Sequence, residues 1–126
     1  MLKQRTTAPE PTMFAITFDL DTETLRDTYH NDSYGNAYKE VRNILTNEFG
    51  FSWQQGSVYF GGPNVDAVTC VLAAQELASR LPWFAPSVRD IRMLKIEDNN
   101  DLAPAIERIT GKKKAPVRAV ARSQAS

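Results

Sequence analysis

Cysteine and histidine are nearly absent from the sequence, which has one of each in 126 residues, Cys70 and His30. One cysteine cannot form a disulfide within the chain. One cysteine and one histidine are also too few for a zinc site built from those ligands, and for a ribonuclease mechanism that uses two histidines. Carboxylates are therefore the groups that we expect to carry any chemistry.

Long apolar segments are absent as well. No run approaches the roughly 20 apolar residues that a membrane span requires, and residues 1–12 lack the apolar core of a secretory signal. We therefore expect a cytoplasmic protein that makes no membrane contact. A chain of 126 residues has the length of one ordinary domain.

The net charge is zero, but the charges are unevenly distributed. Residues 111–126 hold five of the 15 Lys+Arg and none of the 15 Asp+Glu, which leaves ten basic against 15 acidic residues before them. We predict a flexible extension over residues 1–12, a domain over 13–110 and a basic, disordered tail over 111–126. The tail is either a solvated end or an arm that attracts a phosphate backbone.

The periodicity of apolar residues predicts the elements of the fold. Strands are predicted over residues 13–18, 51–53, 57–60 and 87–96, and helices over 34–49, 65–81 and 101–109. The order β-α-β-β-α-β predicts an α+β, ferredoxin-like fold, with an antiparallel sheet, two helices on one face and a short C-terminal helix. In the second helix we expect a buried stripe of Val65, Val68, Val71, Leu72, Ala74, Ala78 and Leu81.

This fold brings distant polar residues together, because strand one lies between strands three and four and runs opposite to both. Asp19, Ser57 and Asp90 are then expected at one end of the sheet. Period-two counting places these three residues, with Tyr59 and Arg92, on the face without helices. The opposite face is expected to present Phe14, Ile16, Phe18, Val58 and Phe60 to the helices.

The helix-free face is predicted to be too apolar to remain in water. Besides the polar set it is expected to carry Ala15, Tyr59, Val88, Leu94 and Ile96. We therefore predict a homodimer that buries this face. Two copies of Asp19 could then meet across a cleft, where they would need a shared proton or a cation such as Mg²⁺ or Mn²⁺.

Several segments together resemble a known family. The segments are MFAITFDLDTETL, NDSYGNAY, GFSWQQGSVYFG, AVTCVLAAQELA, LPWFAPSVRDIRMLKIEDNNDL and PAI. They look like the virulence-associated protein D (VapD) family over residues 13–109, with GFSWQQGSVYFG and WFAPSVRDIR the most specific. The family is similar in fold to the small CRISPR-associated endonuclease with a ferredoxin-like domain.

The resemblance implies a dimeric endoribonuclease, in many cases the toxin of a toxin–antitoxin pair with a protein antitoxin. It also implies that the catalytic residues are the aspartate of FDL, the serine of QGSVY and the aspartate of VRDIR, which are Asp19, Ser57 and Asp90. We hypothesise that Asp19 binds a metal ion or acts as a general base, with Asp90 assisting it and Ser57 contacting RNA. Arg89, Arg92 and Tyr59 are the further predicted substrate contacts. Cleavage through the ribose 2′-hydroxyl and attack by metal-bound water both remain open.

Two other functions fit parts of the sequence. FDLDTETL resembles the nucleophile motif of haloacid-dehalogenase-like phosphatases, but Asp21 is followed by Thr22 and Glu23, which breaks the spacing, and Lys95 is expected at the far end of strand four. The alternative from another class is a ferredoxin-like dimer that binds nucleic acid or a protein and cleaves nothing. In that case Asp19 simply ends a strand, and Asp90 and Arg92 form a structural ion pair.

Overall fold

The computed structural model describes residues 12–113 and 115. These residues form two compact units, divided between Ile96 and Glu97. Four strands lie in the first unit: β1 (Met13–Leu20), β2 (Phe51–Gln55), β3 (Val58–Gly61) and β4 (Val88–Ile96). So do four helices: α1 (Thr22–Thr28), α2 (Asn36–Glu48), α3 (Ala67–Arg80) and α4 (Phe84–Ser87). The second unit has α5 (Ala103–Thr110), whose first turn contains a proline and whose end is capped by Gly111 at φ 71°.

The four strands form one antiparallel sheet in the order β2-β3-β1-β4. The predicted ferredoxin-like α+β class is confirmed, and so is the position of strand one between strands three and four. Helices α1 and α4 lie in segments for which no helix was predicted. None of the helices in residues 12–113 and 115 has the length and apolar character that a bilayer crossing needs.

One face of the sheet carries the hydrophobic core of the first unit. Ile16 and Phe18 of β1 are buried there with Leu25 of α1, Leu45 of α2 and Leu77 of α3. Aromatic rings extend this core to α4, since the rings of Phe18 and Phe84 meet edge to face at 5.9 Å. The prediction that Phe14, Ile16 and Phe18 face the helices is therefore confirmed.

The predicted orientation of β3 is wrong. Tyr59 is opposite Ile16 in the register and its side chain is 1% exposed, so it lies on the helix-covered face and not beside Asp19. Its ring stacks on Phe18 at 6.1 Å and its hydroxyl interacts with the buried Arg42. Successive side chains of a strand point to opposite faces, so an error of one residue in the register reverses the face of every side chain in β3. Val58 and Phe60 therefore occupy the helix-free face, opposite Thr17 and Ala15.

The predicted face of Val88 is wrong as well. In the structure Val88 lies at the start of β4 and packs against the helix-covered core. Farther along β4 the prediction is right. Leu94 is opposite Ala15 and Ile96 is opposite Met13. Ala15 and Met13 alternate with the core residues of β1, so these pairs lie on the helix-free face. The helix-free face is thus apolar at its centre, through the side chains of Ala15, Val58, Phe60, Leu94 and Ile96.

The buried side of α3 also differs from the predicted stripe. Cys70, Ala73 and Leu77 are buried, whereas Val68, Val71 and Leu72 are more than half exposed. The helix is apolar on both sides, so periodicity alone does not select one. Small residues face the sheet, and these allow a helix to approach closely.

Candidate active site at the Asp19 end of the sheet

Two carboxylates lie opposite each other on neighbouring strands, in the last residue pair before a β-bulge. Asp19 of β1 is directly opposite Asp90 of β4, and both lie on the helix-free face. Like charges opposite each other in a sheet repel, so the arrangement is costly unless cations compensate for it. Both side chains have an arginine partner: Arg89 for Asp19 and Arg92 for Asp90.

Arg89 is the extra residue of the bulge. Asp19 pairs with Asp90 and Leu20 pairs with Val88, which leaves Arg89 without a partner in the register. A bulge turns one side chain out of the strand alternation, and bulges are frequent next to active sites. The guanidinium can therefore reach the Asp19 carboxylate, although Arg89 is adjacent in sequence to Asp90.

Two carboxylates bind the Arg89 guanidinium. Nη2 donates to Asp21 Oδ1 at 2.6 Å, and Nη1 lies 3.6 Å from Asp19 Oδ2. These anions raise the pKa of Arg89, mainly through the hydrogen bond to Asp21. Even so, 61% of the Arg89 side chain is exposed, so part of the guanidinium remains accessible to a ligand.

Hydrogen bonds to Thr24 and to Ser87 hold Asp21 in place. It is the N-cap of α1, where its Oδ2 accepts from Thr24 N at 3.0 Å and from Thr24 Oγ1 at 2.6 Å. Its own amide donates to Ser87 O at 2.7 Å, immediately before β4. Hydrogen bonds from Thr24, supplemented by Arg89, lower the pKa of Asp21 to about 2. Asp21 thus holds the connection between β1 and α1 in place, and the D-x-x-T spacing is its sequence signal.

Arg92 and Asp90 form a second ion pair, two residues apart on the same face of β4. Arg92 Nε lies 3.1 Å from each of the two carboxylate oxygens. The hydrogen bond to Asp90 is the main cause of the raised pKa of Arg92. The Arg92 side chain is 68% exposed, so its Nη groups can also meet a ligand.

Ser57 lies at the same end of the sheet, in the turn before β3. Its carbonyl accepts a hydrogen bond from Phe18 N at 3.2 Å, so Ser57 is opposite Phe18, next to Asp19 along the register. Residues directly opposite each other share a face, so the prediction that Ser57 lies on the helix-free face with Asp19 is not supported. The fold thus brings Asp19, Asp90 and the Ser57 backbone to one end of the sheet, as the strand order predicts. Tyr59 is removed from this surface altogether by its burial in the core.

The charge of Asp19 also acts on Tyr38, a residue that the sequence did not single out. It lies in the first turn of α2 and is half-buried against the core. Burial raises the pKa of its hydroxyl, and the charge of Asp19 and the nearby Tyr34 raise it further. A neutral phenol therefore lies within electrostatic range of Asp19. In the sequence Tyr38 is only one of several aromatic residues in an amphipathic helix, so nothing there distinguishes it.

The Mg²⁺ or Mn²⁺ at Asp19 stays a prediction. In residues 12–113 and 115, no three histidine, cysteine or carboxylate side chains come together as a metal site. Asp19 has Arg89 as a neighbour, and a guanidinium competes with a metal ion for a carboxylate. A metal ion at Asp19 would therefore have to compete with Arg89, and Asp90 is the carboxylate opposite it.

The phosphatase alternative is not favoured by this geometry. Lys95 lies opposite Phe14, near the other end of β1 from Asp19. A phosphatase site of that kind would need the lysine beside the strand-end aspartates, whereas the cations found there are Arg89 and Arg92.

No protein-family model matches the chain. Among curated proteins it is similar to Endoribonuclease VapD 2 of Riemerella anatipestifer, with 57% identity over 94 residues that cover 75% of this chain and 99% of that protein. It is also 53% identical over 95 residues to Endoribonuclease VapD homolog of Helicobacter pylori, covering 75% and 97%. The chain belongs to the VapD family. More distant VapD proteins align over the same share, including Endoribonuclease VapD of Dichelobacter nodosus at 39% identity over 95 residues, 75% of this chain and 98% of that one.

VapD membership confirms the resemblance found in the sequence. The VapD relatives match nearly over their whole lengths, so the aligned region corresponds to an entire protein of this family. The remaining quarter of the chain falls outside these alignments.

Proposed function

We propose that this chain is an endoribonuclease that cleaves RNA at the Asp19 end of the sheet. The observation that carries the proposal is the exposed Asp19–Asp90 pair flanked by Arg89 and Arg92, in a member of a family whose curated relatives are named endoribonucleases. Carboxylates can accept protons, and a guanidinium group can donate to two oxygens of a phosphate at once. The four side chains provide both kinds of group within one surface.

In the proposed reaction Asp19 is the general base. Its carboxylate accepts the proton of a ribose 2′-hydroxyl, whose oxygen attacks the adjacent phosphorus. The bond from phosphorus to the 5′-oxygen breaks, and that oxygen takes a proton from water. The hydroxide that remains takes the proton held by Asp19, which restores the carboxylate. The products are a 2′,3′-cyclic phosphate and a free 5′-hydroxyl.

Arg89 and Arg92 balance the negative charge that develops on the phosphate oxygens. Asp90 orients Arg92 through the contacts at 3.1 Å. Ser57, from the turn before β3, is the proposed contact for the ribose or a phosphate oxygen. Tyr59 was predicted to bind substrate, but its side chain is buried. We assign it instead to the support of β1, through the stacking of its ring on Phe18.

The test is cleavage of labelled RNA by the wild type and by Asp19→Asn. The substitution keeps the shape of the side chain and removes its basicity, so we expect the rate to fall by about 10²- to 10⁴-fold. The all-DNA version of the same oligonucleotide should not be cleaved, because it lacks the attacking 2′-hydroxyl. Equal cleavage by the two proteins would mean that Asp19 is not the base.

A chelator separates this mechanism from the metal-dependent alternative. Cleavage through the 2′-hydroxyl should continue in excess chelator and leave a cyclic phosphate. Loss of activity in chelator with recovery in Mg²⁺ or Mn²⁺ would instead favour attack by metal-bound water.

We further propose a homodimer formed through the helix-free face, supported by the apolar centre of that face. A particle near twice 14.1 kDa is the expected result of a sizing experiment.

The resemblance to VapD also suggests a cytoplasmic toxin with a protein antitoxin. The tests are growth arrest on expression of this chain and rescue of growth by a co-expressed neighbouring gene.

The rival function is a dimer that binds RNA or a protein without cleaving it. The exposed Arg92–Asp90 pair is compatible with it, because such a pair can simply stabilise a surface. Wild-type protein that binds labelled RNA and leaves it intact under all conditions would favour this alternative.

A further inference from the structure

The two contacts of Arg89 differ in strength, and this difference suggests a division of labour. The contact with Asp21, at 2.6 Å, is a short charge-assisted hydrogen bond, whereas the contact with Asp19, at 3.6 Å, is an ion pair beyond hydrogen-bond distance. A ligand that competes for Arg89 should therefore displace Asp19 before it displaces Asp21.

Asp21 is suited to be the stronger partner, because its carboxylate cannot easily move with the arginine. One of its oxygens is bound to the backbone and hydroxyl of Thr24, which leaves the other for Arg89. Its amide is bound to Ser87 O, two residues before Arg89 in the chain. Asp21 and the start of β4 are thus connected both through their backbones and through the guanidinium.

The bulge completes this arrangement. It turns Arg89 out of the regular alternation of β4, toward Asp19 and Asp21. Arginine has five N–H donors in a fixed planar array, and the bond to Asp21 uses one of them. The side chain is 61% exposed, so the remaining donors can meet a phosphate.

We propose that Asp21 is a positioning residue that holds Arg89 beside Asp19, so that an RNA phosphate can replace Asp19 as the second partner of the guanidinium. The exchange places the phosphate next to Asp19 and releases the carboxylate for its role as base. Asp21 acts through Arg89 and does not contact the RNA. This inference rests on the proposed function and names a residue to which that proposal gives no role.

The test is Asp21→Asn in the full chain. Asparagine is about as good an N-cap as aspartate, so α1 should remain capped while Arg89 loses its charged partner. Removing a negative charge beside a phosphate site should by itself strengthen RNA binding. Loss of positioning should instead lower kcat, by about 10- to 100-fold, with KM unchanged or reduced. An unchanged kcat would overturn the proposal.

Asp66→Asn is the matched control. Asp66 caps α3 in the same way, with its Oδ1 accepting from Thr69 N and Thr69 Oγ1, both at 2.8 Å. It has no part in the site, so this variant should keep the wild-type kcat. An equal loss of kcat in both variants would assign the effect to helix capping and contradict the role of Arg89.

A double-mutant cycle with Arg89→Gln tests whether Asp21 acts through the arginine. Once Arg89 is replaced, Asp21→Asn should change kcat by less than about twofold, because interacting residues are not additive. A full additional loss would show that Asp21 acts by another route.

An NMR measurement separates failure of this inference from failure of the proposed function. The Nε–H group of Arg89 should be ordered in the wild type and in Asp66→Asn, and more mobile in Asp21→Asn. Wild-type protein that cleaves no RNA would end the proposed function. An Arg89 side chain that is equally ordered in all three proteins would end the positioning role.

Discussion

The two faces of the sheet differ in what their side chains do. On the helix-covered face, β1 and β3 present Ile16, Phe18 and Tyr59, which are buried against four helices. On the helix-free face, the same strands present an apolar centre, and β1 and β4 present charged residues at one end. Stability should therefore depend mainly on the first face, and activity and assembly on the second.

This separation is possible because a strand alternates its side chains between the faces. Asp19 follows Phe18 directly, so the last buried ring of β1 fixes the backbone from which the proposed base projects. The site thus gains rigidity from the core without being buried in it, which is how precise functional sites are generally supported.

The largest effect on stability should come from truncating the helix-covered face. Leu77 of α3 is 0% exposed, and Leu77→Ala removes buried contacts and leaves a cavity, so we expect a loss of about 2–5 kcal/mol in the free energy of unfolding. Chemical denaturation measures it. The kcat of the folded fraction should be unchanged, since Leu77 does not touch the charged end of the sheet.

The same truncation on the other face is the control. Leu94 is 46% exposed on β4, so Leu94→Ala should cost less than about 1 kcal/mol in a monomeric sample. Equal losses for the two variants would contradict the division between the faces.

The next effect concerns assembly. If the helix-free face forms the dimer, Leu94→Asp places a charge in the interface and should weaken association by at least about tenfold. Analytical ultracentrifugation over a concentration series measures this. Leu72→Asp is the matched variant, because Leu72 is 52% exposed on α3, on the helix side of the sheet. Dissociation by Leu72→Asp alone would move the interface to the helix side.

How much of this could be predicted from the sequence depends on how ambiguous each segment is. The strand order followed from the element order, and it was enough to bring Asp19 next to Asp90. The register of β3 was not predictable, because Val58, Tyr59 and Phe60 are all apolar. The structure selects Tyr59 for the core, where it meets Phe18 and the buried Arg42.

The bulge at Arg89 was hidden for a similar reason. No residue in VRDIR marks an extra position, so simple alternation places Arg89 on the opposite face from Asp90. Only the pairing of Leu20 with Val88 reveals that Arg89 is skipped. The capping role of Asp21, by contrast, has a signal in the sequence, because Thr24 follows three residues later, although no helix was predicted over α1.

The smallest expected effect is the acid dependence of stability at Asp21. The pKa of Asp21 in the folded protein is about 2, below its ordinary value of 3.8, because the ionised form accepts hydrogen bonds from Thr24 and Arg89. A lowered pKa means that ionised Asp21 stabilises the folded state. This contribution is complete above the unfolded pKa and is lost as the pH falls from about 4 toward 2.

Asp21→Asn cannot titrate, so its stability should fall less steeply than that of the wild type over this interval, and the two proteins should differ by a constant amount above about pH 5. Urea denaturation at several pH values measures the difference. Because Asp21 is close to solvent, salt should weaken the Arg89 part of the effect and leave the Thr24 part. Parallel pH profiles for the two proteins would mean that the charge of Asp21 has no partner in the folded state. In that case the charged end of the helix-free face would not be held in place by the loop between β1 and α1.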